Sequence, residues 1–382
     1  MAWVSYQPDQ DPAEFGNGDP DDPDFAYDEF AFFDENRAEY DLGGPEVPNV
    51  TRHRVDVGGG EPPLSYLRWG SGPPQWVFLH GGAQNAHTWD TVLLALSDPA
   101  LTPVLGTDPT VDAVAFDLPG HGSSGWRSDG RYDPATSAAT IGAALDRLGF
   151  VPETLVGMSL GGLTALALAA ARPSCCRRLA LVDITPGVTR DKAADVHAFI
   201  EGPQSFPSFA EIFARTTEFN PTRSASSLRR GILHNAHRQE DRSWVWNYDR
   251  RPMGQRSDDA HEDLWLAFSA LEMPTLLVLG ATSPVVDDED EAEFLRRQPD
   301  GWVIAGVAAG LAGHLGVRVA HVRLAFLVLS LFSVMTLALN PSVYSMCIRL
   351  TFLATSSSRL PAASGRSTPK RSAATSSPSL RT

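Results

Sequence analysis

Cysteine is nearly absent from this sequence. Cys175, Cys176 and Cys347 are the three in a chain of 382 residues, and cysteines adjacent in sequence rarely bridge each other. No disulfide framework can be built from them, so reduced thiols in a cytoplasmic protein are expected. Basic residues are almost missing from the first fifty positions, where fourteen Asp and Glu face the single Arg37. Acids are missing altogether from residues 341–382, which hold five Arg and one Lys. The net charge of −15 is therefore largely the property of one end of the chain, and it says nothing about a substrate. The opening "MAWVSYQPDQDPAEF" lacks the basic start and apolar core of a secretory leader. No stretch is basic and aromatic enough to suggest a nucleic-acid partner.

What is present divides the chain. Residues 1–50, with "DPDDPDFAYDEFAFFDEN", have high charge and little pattern, which predicts a disordered or loosely docked acidic arm, with packing of its aromatics on the domain surface as the alternative. From residue 51 apolar strands alternate with helices: "LSYLRWG", "QWVFLHGG", "VDAVAFDLPGHG", "ETLVGMS", "RRLALVDITPG" and "MPTLLVLGA" read as strands. Near-continuous apolar strands separated by helices predict an α/β fold, a doubly wound and mostly parallel sheet covered on both faces. Residues 186–272, rich in Trp, His and Phe, read as a mostly helical lid inserted into a domain spanning 51–300. The remainder is atypical: an apolar segment over 301–340, then a Ser/Arg/Pro-rich tail over 341–382 with no periodicity, expected to be disordered.

The strongest chemical signal is "GMSLGG" at 157–162, where Gly157-x-Ser159-x-Gly161 falls at a strand-to-helix junction. So tight a turn excludes side chains at the flanking positions and pushes the serine hydroxyl clear of the backbone. An acyl-transfer serine also needs donors for an oxyanion. The Gly81-Gly82 turn after "FLH" supplies one approach and the helix start at Leu160 the other, so the Gly82 and Leu160 amides are the candidate pair. His80 reads as a structural strand-end residue beside that turn.

In order and spacing, "HGG", "DLPGHGSS", "GMSLGG" and "VDITP" over residues 51–299 resemble the α/β-hydrolase superfamily. The resemblance implies a serine hydrolase for a small-molecule ester, thioester or lactone, with no metal or organic cofactor. Some members, small esterases with a "VDIAP" strand end, carry the acid of the triad where this chain has Asp183. Most carry it after the following strand, where this chain has Thr282 and Ser283; the next carboxylate, Asp287, reads as a helix N-cap. Asp183 is therefore the candidate acid. In the insertion, His234, Trp244 and Trp246 are candidate substrate-binding residues, since such lids usually line the acyl pocket.

The base is open. His314 follows the last expected strand, the usual place for it. Yet "VIAGVAAGLAGHLGVRVAHVRLAFLVLSL" at 303–331 resembles the membrane-associated module of the phage-shock-protein C family, where that histidine position has no catalytic duty. Two readings remain: a Ser159–His314–Asp183 triad, or a hydrolase fold without a competent base attached to the membrane through 303–339. A lid histidine folded over the serine is a third route to a base. The apolar run at 324–339 is shorter than the ~20 residues that span a bilayer, so weak association through 319–339 is the most it supports.

Overall fold

The computed structural model describes residues 19–43, 47–99, 111–189, 191–221, 223–250, 258–279, 283 and 285–297. His314, Thr282 and the 303–339 segment lie outside the described residues, as does the 341–382 tail.

Seven strands form the central sheet: β1 (Val50–Val55), β2 (Leu64–Trp69), β3 (Trp76–Leu79), β4 (Ala113–Phe116), β5 (Thr154–Met158), β6 (Arg178–Val182) and, far along the chain, Thr275–Val278. That last strand is β10 once the insertion's three short strands are counted. The order is β1-β2-β4-β3-β5-β6-β10. β2 is antiparallel to both neighbours, and every pairing from β4 to β10 is parallel. The mostly parallel, doubly wound arrangement expected from the strand pattern is what the chain adopts. A boundary at residue 51 falls inside β1, whose "VTRHRV" is mostly exposed and carries little apolar signal.

Period-2 alternation splits the strand side chains between two cores. Val77, Leu79, Val114, Phe116 and Leu155 face α3 (Pro134–Leu148) and α4 (Leu160–Ala171). Phe78, Ala113, Ala115, Val156 and Val182 face the opposite layer, with Phe33 of α1 (Phe33–Glu39) and Val92 of α2 (Asp90–Leu96). α4 has to be Ala-rich, because it packs closely on both α3 and β5. Gly149 closes α3 in the left-handed conformation, φ 72°.

The insertion departs from expectation in one respect. It holds α5 (Ala194–Ile200), α6 (Phe209–Phe219), α7 (Ala225–Asn235) and α8 (Asp258–Ser269), but also a small three-stranded sheet. The strands are β7 (Ser205–Phe206), β8 (Ala236–Arg238) and β9 (Trp244–Trp246), in the order β7-β9-β8. Alternation in "WVW" buries both tryptophans on one face, a β pattern too short to stand out among helices. Residues 203–248 have their own apolar cluster, built on Phe209, Phe213, Leu228, Ile232 and Trp246.

The acidic N-terminal segment is not a loose arm where it is described. Phe33 and Asn36 are buried, and Phe32 joins the insertion's core. Its acids are used as ligands. Asp21 accepts from the Phe209 amide at 2.9 Å and from Trp244 Nε1 at 2.8 Å. Glu35 pairs with Arg230 at 2.9 Å, and Glu39 pairs with the same arginine. Composition suggested disorder because these carboxylates find their partners some 190 to 220 residues away.

After β10, the helix Asp288–Arg297, here α9, is opened by Asp287 as expected. Asp287 Oδ1 accepts from the Asp290 amide at 2.9 Å, and Asp290 Oδ2 returns the bond at 3.4 Å. That reciprocal pair is a capping box, with Lys192 salt-bridged to both carboxylates.

Candidate active site

β5 passes into α4 through a single residue, Ser159, with φ 49° and ψ −120°. A side chain is not tolerated on either flank. A Cβ at Gly157 would strike the Gly161 carbonyl, and one at Gly161 would strike the carbonyls of Leu79 and His80. Ser159 itself sits in the left-handed region, a strain that persists only because the surroundings fix it. Its amide donates to the Val182 carbonyl at 3.2 Å, tying the turn to the end of β6.

Met158 and Val182 are paired in register, so Ser159 and Asp183 leave adjacent strands at the same level, about 4.8 Å apart between strand axes. Asp183 also has positive φ, 52°, and its amide donates to the Val278 carbonyl at 2.7 Å. It is 5% exposed and, with Ser159, lines a cavity of about 250 Å³ at the carboxyl ends of the parallel strands. That is where open α/β sheets bind ligands.

Gly82 lines the same end of the cavity, and a Cβ on it would lie 4.0 Å from Leu160 Cδ2, so the two candidate oxyanion residues are brought together. The turn carrying Gly82 is held on three sides. Gln84 Oε1 accepts from the Gly81 amide at 3.0 Å. Asn235 of α7 donates to the Ala83 carbonyl at 2.5 Å, holding a non-glycine residue at φ 57°. His80 is fully buried, with Nδ1 on the Gly81 carbonyl at 2.7 Å and Nε2 accepting from the Leu118 amide at 2.9 Å. Burial, reinforced by His121, lowers its pKa to about 3, so it is a neutral structural group.

A charged network closes the cavity beyond this turn. Buried Asp117 accepts from the Ala86 amide and from Arg52, both at 2.7 Å, and Arg52 also donates to Glu29 at 2.6 Å. His87 lies between Asp90 at 2.8 Å and Glu29 at 3.0 Å. Burial alone would lower its pKa, but the two carboxylates push it up to about 9. His234 stacks on it at 3.9 Å and binds the Tyr27 hydroxyl through Nδ1 at 2.7 Å. Burial and the His87 charge keep His234 neutral. Among the described residues His87, Asp90 and His234 are close enough to share a metal ion. Both His87 nitrogens already serve carboxylates, and Arg52 Nη2 stands 3.3 Å away, so the group behaves as an ion-pair network.

Of the insertion residues singled out in the sequence, His234 and Trp246 line the cavity. Trp244 does not. It lies two residues farther out on the same face, packed on Phe209 beneath Asp21. His237 points outward to Asn247. Three other lining residues, Asn36, Arg223 and Asn235, carry no mark in the sequence. Only the pairing of remote segments could have revealed them.

A strained serine at a glycine-walled turn, beside a carboxylate at the next strand end, defines an α/β-fold hydrolase. Comparison with known proteins agrees. The chain is 42% identical over 277 residues to an esterase of Mycobacterium tuberculosis, covering 71% of this chain and 85% of that protein. A solved structure of that esterase, from work on its inhibition by transition metals, superposes with a TM-score of 0.59 and 41% identity over 72% of this chain and 88% of its own. A 3-hydroxybutyrate-oligomer hydrolase of Cupriavidus necator is 27% identical over 66% of this chain and 86% of its own length. Residues 77–317 match the family described as alpha/beta hydrolase fold, and the chain belongs to that family. A PspC domain match covers residues 293–353, so the two resemblances overlap, and His314 falls within the overlap. Among the described residues no helix is long and apolar enough to cross a membrane.

Proposed function

We propose that this α/β-fold hydrolase cleaves a small-molecule ester, thioester or lactone through an acyl-enzyme on Ser159. The observation that carries the reading is the placement of strained Ser159 and buried Asp183 at adjacent strand ends facing one cavity with Gly82. Ser159 Oγ attacks the carbonyl carbon while a histidine takes its proton, and the oxyanion is met by the Gly82 and Leu160 amides. The histidine returns the proton to the leaving oxygen or sulfur, and water repeats the sequence to release the acid. Asp183 holds the histidine in the required tautomer. His314 is assigned as that base, supported by the hydrolase family match running past it to residue 317. The insertion acts as a lid, with His234 and Trp246 on the acyl side of the cavity.

The second reading, a hydrolase fold without its base held at the membrane through 303–339, is favoured by the PspC match. A fluorophosphonate probe separates the two. The triad reading expects labelling of the full chain that is abolished by Ser159→Ala and strongly slowed by His314→Ala. Labelling indifferent to His314→Ala removes that residue from the mechanism. An unlabelled protein recovered in the membrane fraction establishes the second reading.

A further inference from the structure

At the end of the cavity lined by α1 and α7, the lining becomes polar and cationic. Arg223 stands just before Ser224, the N-cap of α7, and folds back over the first turn. One guanidinium nitrogen donates to Ser227 Oγ at 2.7 Å and to its carbonyl at 3.3 Å. A Cβ at Gly231 would lie 3.7 and 3.9 Å from the two terminal nitrogens, so the guanidinium runs along the face of α7 that lines the cavity. Burial pushes its pKa down, helped by the charge of Arg230, and the pull of Glu39, which is itself paired with Arg230, does not offset it. Neighbouring Arg230 takes both nearby acids, Glu35 and Glu39, and among the described residues Arg223 has no salt bridge. Arg223 Nε is buried without a hydrogen-bond partner. Nor does the helix explain this residue, since a cation at a helix N-terminus adds to the positive end of the dipole.

A second donor faces the same space. Asn36 of α1 is 6% exposed, and its carbonyl oxygen accepts from Thr91 Oγ1 at 2.9 Å, which leaves its NH₂ group for the cavity. The acid at this end, Asp90, gives Oδ2 to His87, while its Oδ1 is buried without a hydrogen-bond partner. A guanidinium without a salt bridge and a buried amide side chain line a space continuous with Ser159. Resting on the ester-hydrolase reading above, we propose that this end is a subsite for an anionic group, a carboxylate or a phosphate monoester. The group would be carried by the part of the substrate remote from the scissile carbonyl. Charge-assisted, forked hydrogen bonds to Arg223 would hold it, with Asn36 adding a third.

The test pairs binding with turnover in the full-length protein. In the Ser159→Ala background, calorimetry compares monomethyl adipate and butyl phosphate with neutral dimethyl adipate. In the active protein, hydrolysis of mono-p-nitrophenyl adipate is compared with that of its neutral methyl ester. The expected result is a preference for the anionic probes that falls about tenfold or more in Arg223→Gln, consistent with loss of a charged hydrogen-bond pair. Arg223→Lys should recover part of it, and Asn36→Ala should lower it by less. The adipate and phosphate arms tell which anion fits better. Because the readout is a ratio within each protein, partial loss of folded material does not imitate it. Anionic probes bound no better than the neutral one, or not bound, overturn the subsite, as does a ratio unmoved by Arg223→Gln. Arg223-dependent binding in a protein that cleaves neither ester would keep the subsite and overturn the hydrolase reading.

Discussion

The two walls of the cavity are built on different principles. Its floor, the strand ends carrying Ser159, Asp183 and Gly82, is shaped mainly by backbone: residues with positive φ, and Gly157 and Gly161 with no room for a Cβ. Its roof, the insertion and the N-terminal segment, is held by side-chain ion pairs and hydrogen bonds between residues far apart in the chain, such as the Glu35–Arg230 pair and the Tyr27–His234 hydrogen bond. Changes in the floor should therefore abolish chemistry and leave the fold. Changes in the roof should loosen the fold and reach the chemistry indirectly.

The largest effect belongs to the floor. Ser159→Ala should lower ester turnover by about 10⁶, and Asp183→Asn by about 10⁴, since the acid only orients and supports the base. Both proteins should unfold at temperatures near wild type. A large loss of thermal stability in Ser159→Ala would show that the serine is a structural part of the turn. The roof should answer in the opposite way. Arg230 is 4% exposed between two partly buried glutamates, so Arg230→Met leaves both carboxylates without their cation and should cost about 1–3 kcal/mol in denaturant unfolding. If removing both acids as well (Glu35→Gln, Glu39→Gln, Arg230→Met) restores little, the pairs are not what holds the segment.

The same contrast explains how much of the molecule is legible in its sequence. "GMSLGG" announces its own turn because every determinant lies within six residues, and the strands announce themselves by apolar runs buried on both faces. Asp287 could be read as an N-cap because capping is local as well. The packing of the N-terminal segment was not legible on the same ground. Composition registers the charges of Asp21, Glu29, Glu35 and Glu39 but not the buried amides and arginines that receive them. Trp244 packs rather than lines the pocket, and an aromatic in an insertion has no sequence mark that separates the two. Arg223 and Asn36 were invisible for a related reason. A guanidinium becomes a binding group only when the structure withholds its carboxylate.

Asn235 is where the roof touches the floor. Its amide holds the Ala83 carbonyl beside Gly82, and Asn85 in turn donates to the His234 carbonyl at 2.8 Å. Asn235→Ala should lower kcat by about 10- to 100-fold with a smaller change in KM, as expected when a pre-set oxyanion turn is allowed to drift. Asn235→Asp, which cannot donate to a carbonyl, should not rescue it. A variant that changes KM alone would make Asn235 a wall of the pocket and nothing more.

The smallest effect concerns pH. The folded pKa of His87 stands near 9, above the ordinary 6.5. A pKa raised by folding means that the folded state holds the proton more tightly than the unfolded chain does. The stability it contributes is therefore complete below pH 6.5 and is lost as pH rises through 9. Deprotonation removes the charge that bridges Asp90 and Glu29, and Glu29 belongs to the N-terminal segment, so the roof should loosen first. Between pH 7 and 10 the wild type should lose about 2 kcal/mol more than His87→Gln, which has no such proton to release. Hydrogen exchange should show the loss in residues 19–43 and α7 before the sheet. Parallel stability profiles for the two proteins, or exchange that rises first at β5 and β6, would place the titration elsewhere and dissolve the distinction between a floor set by backbone and a roof set by charge.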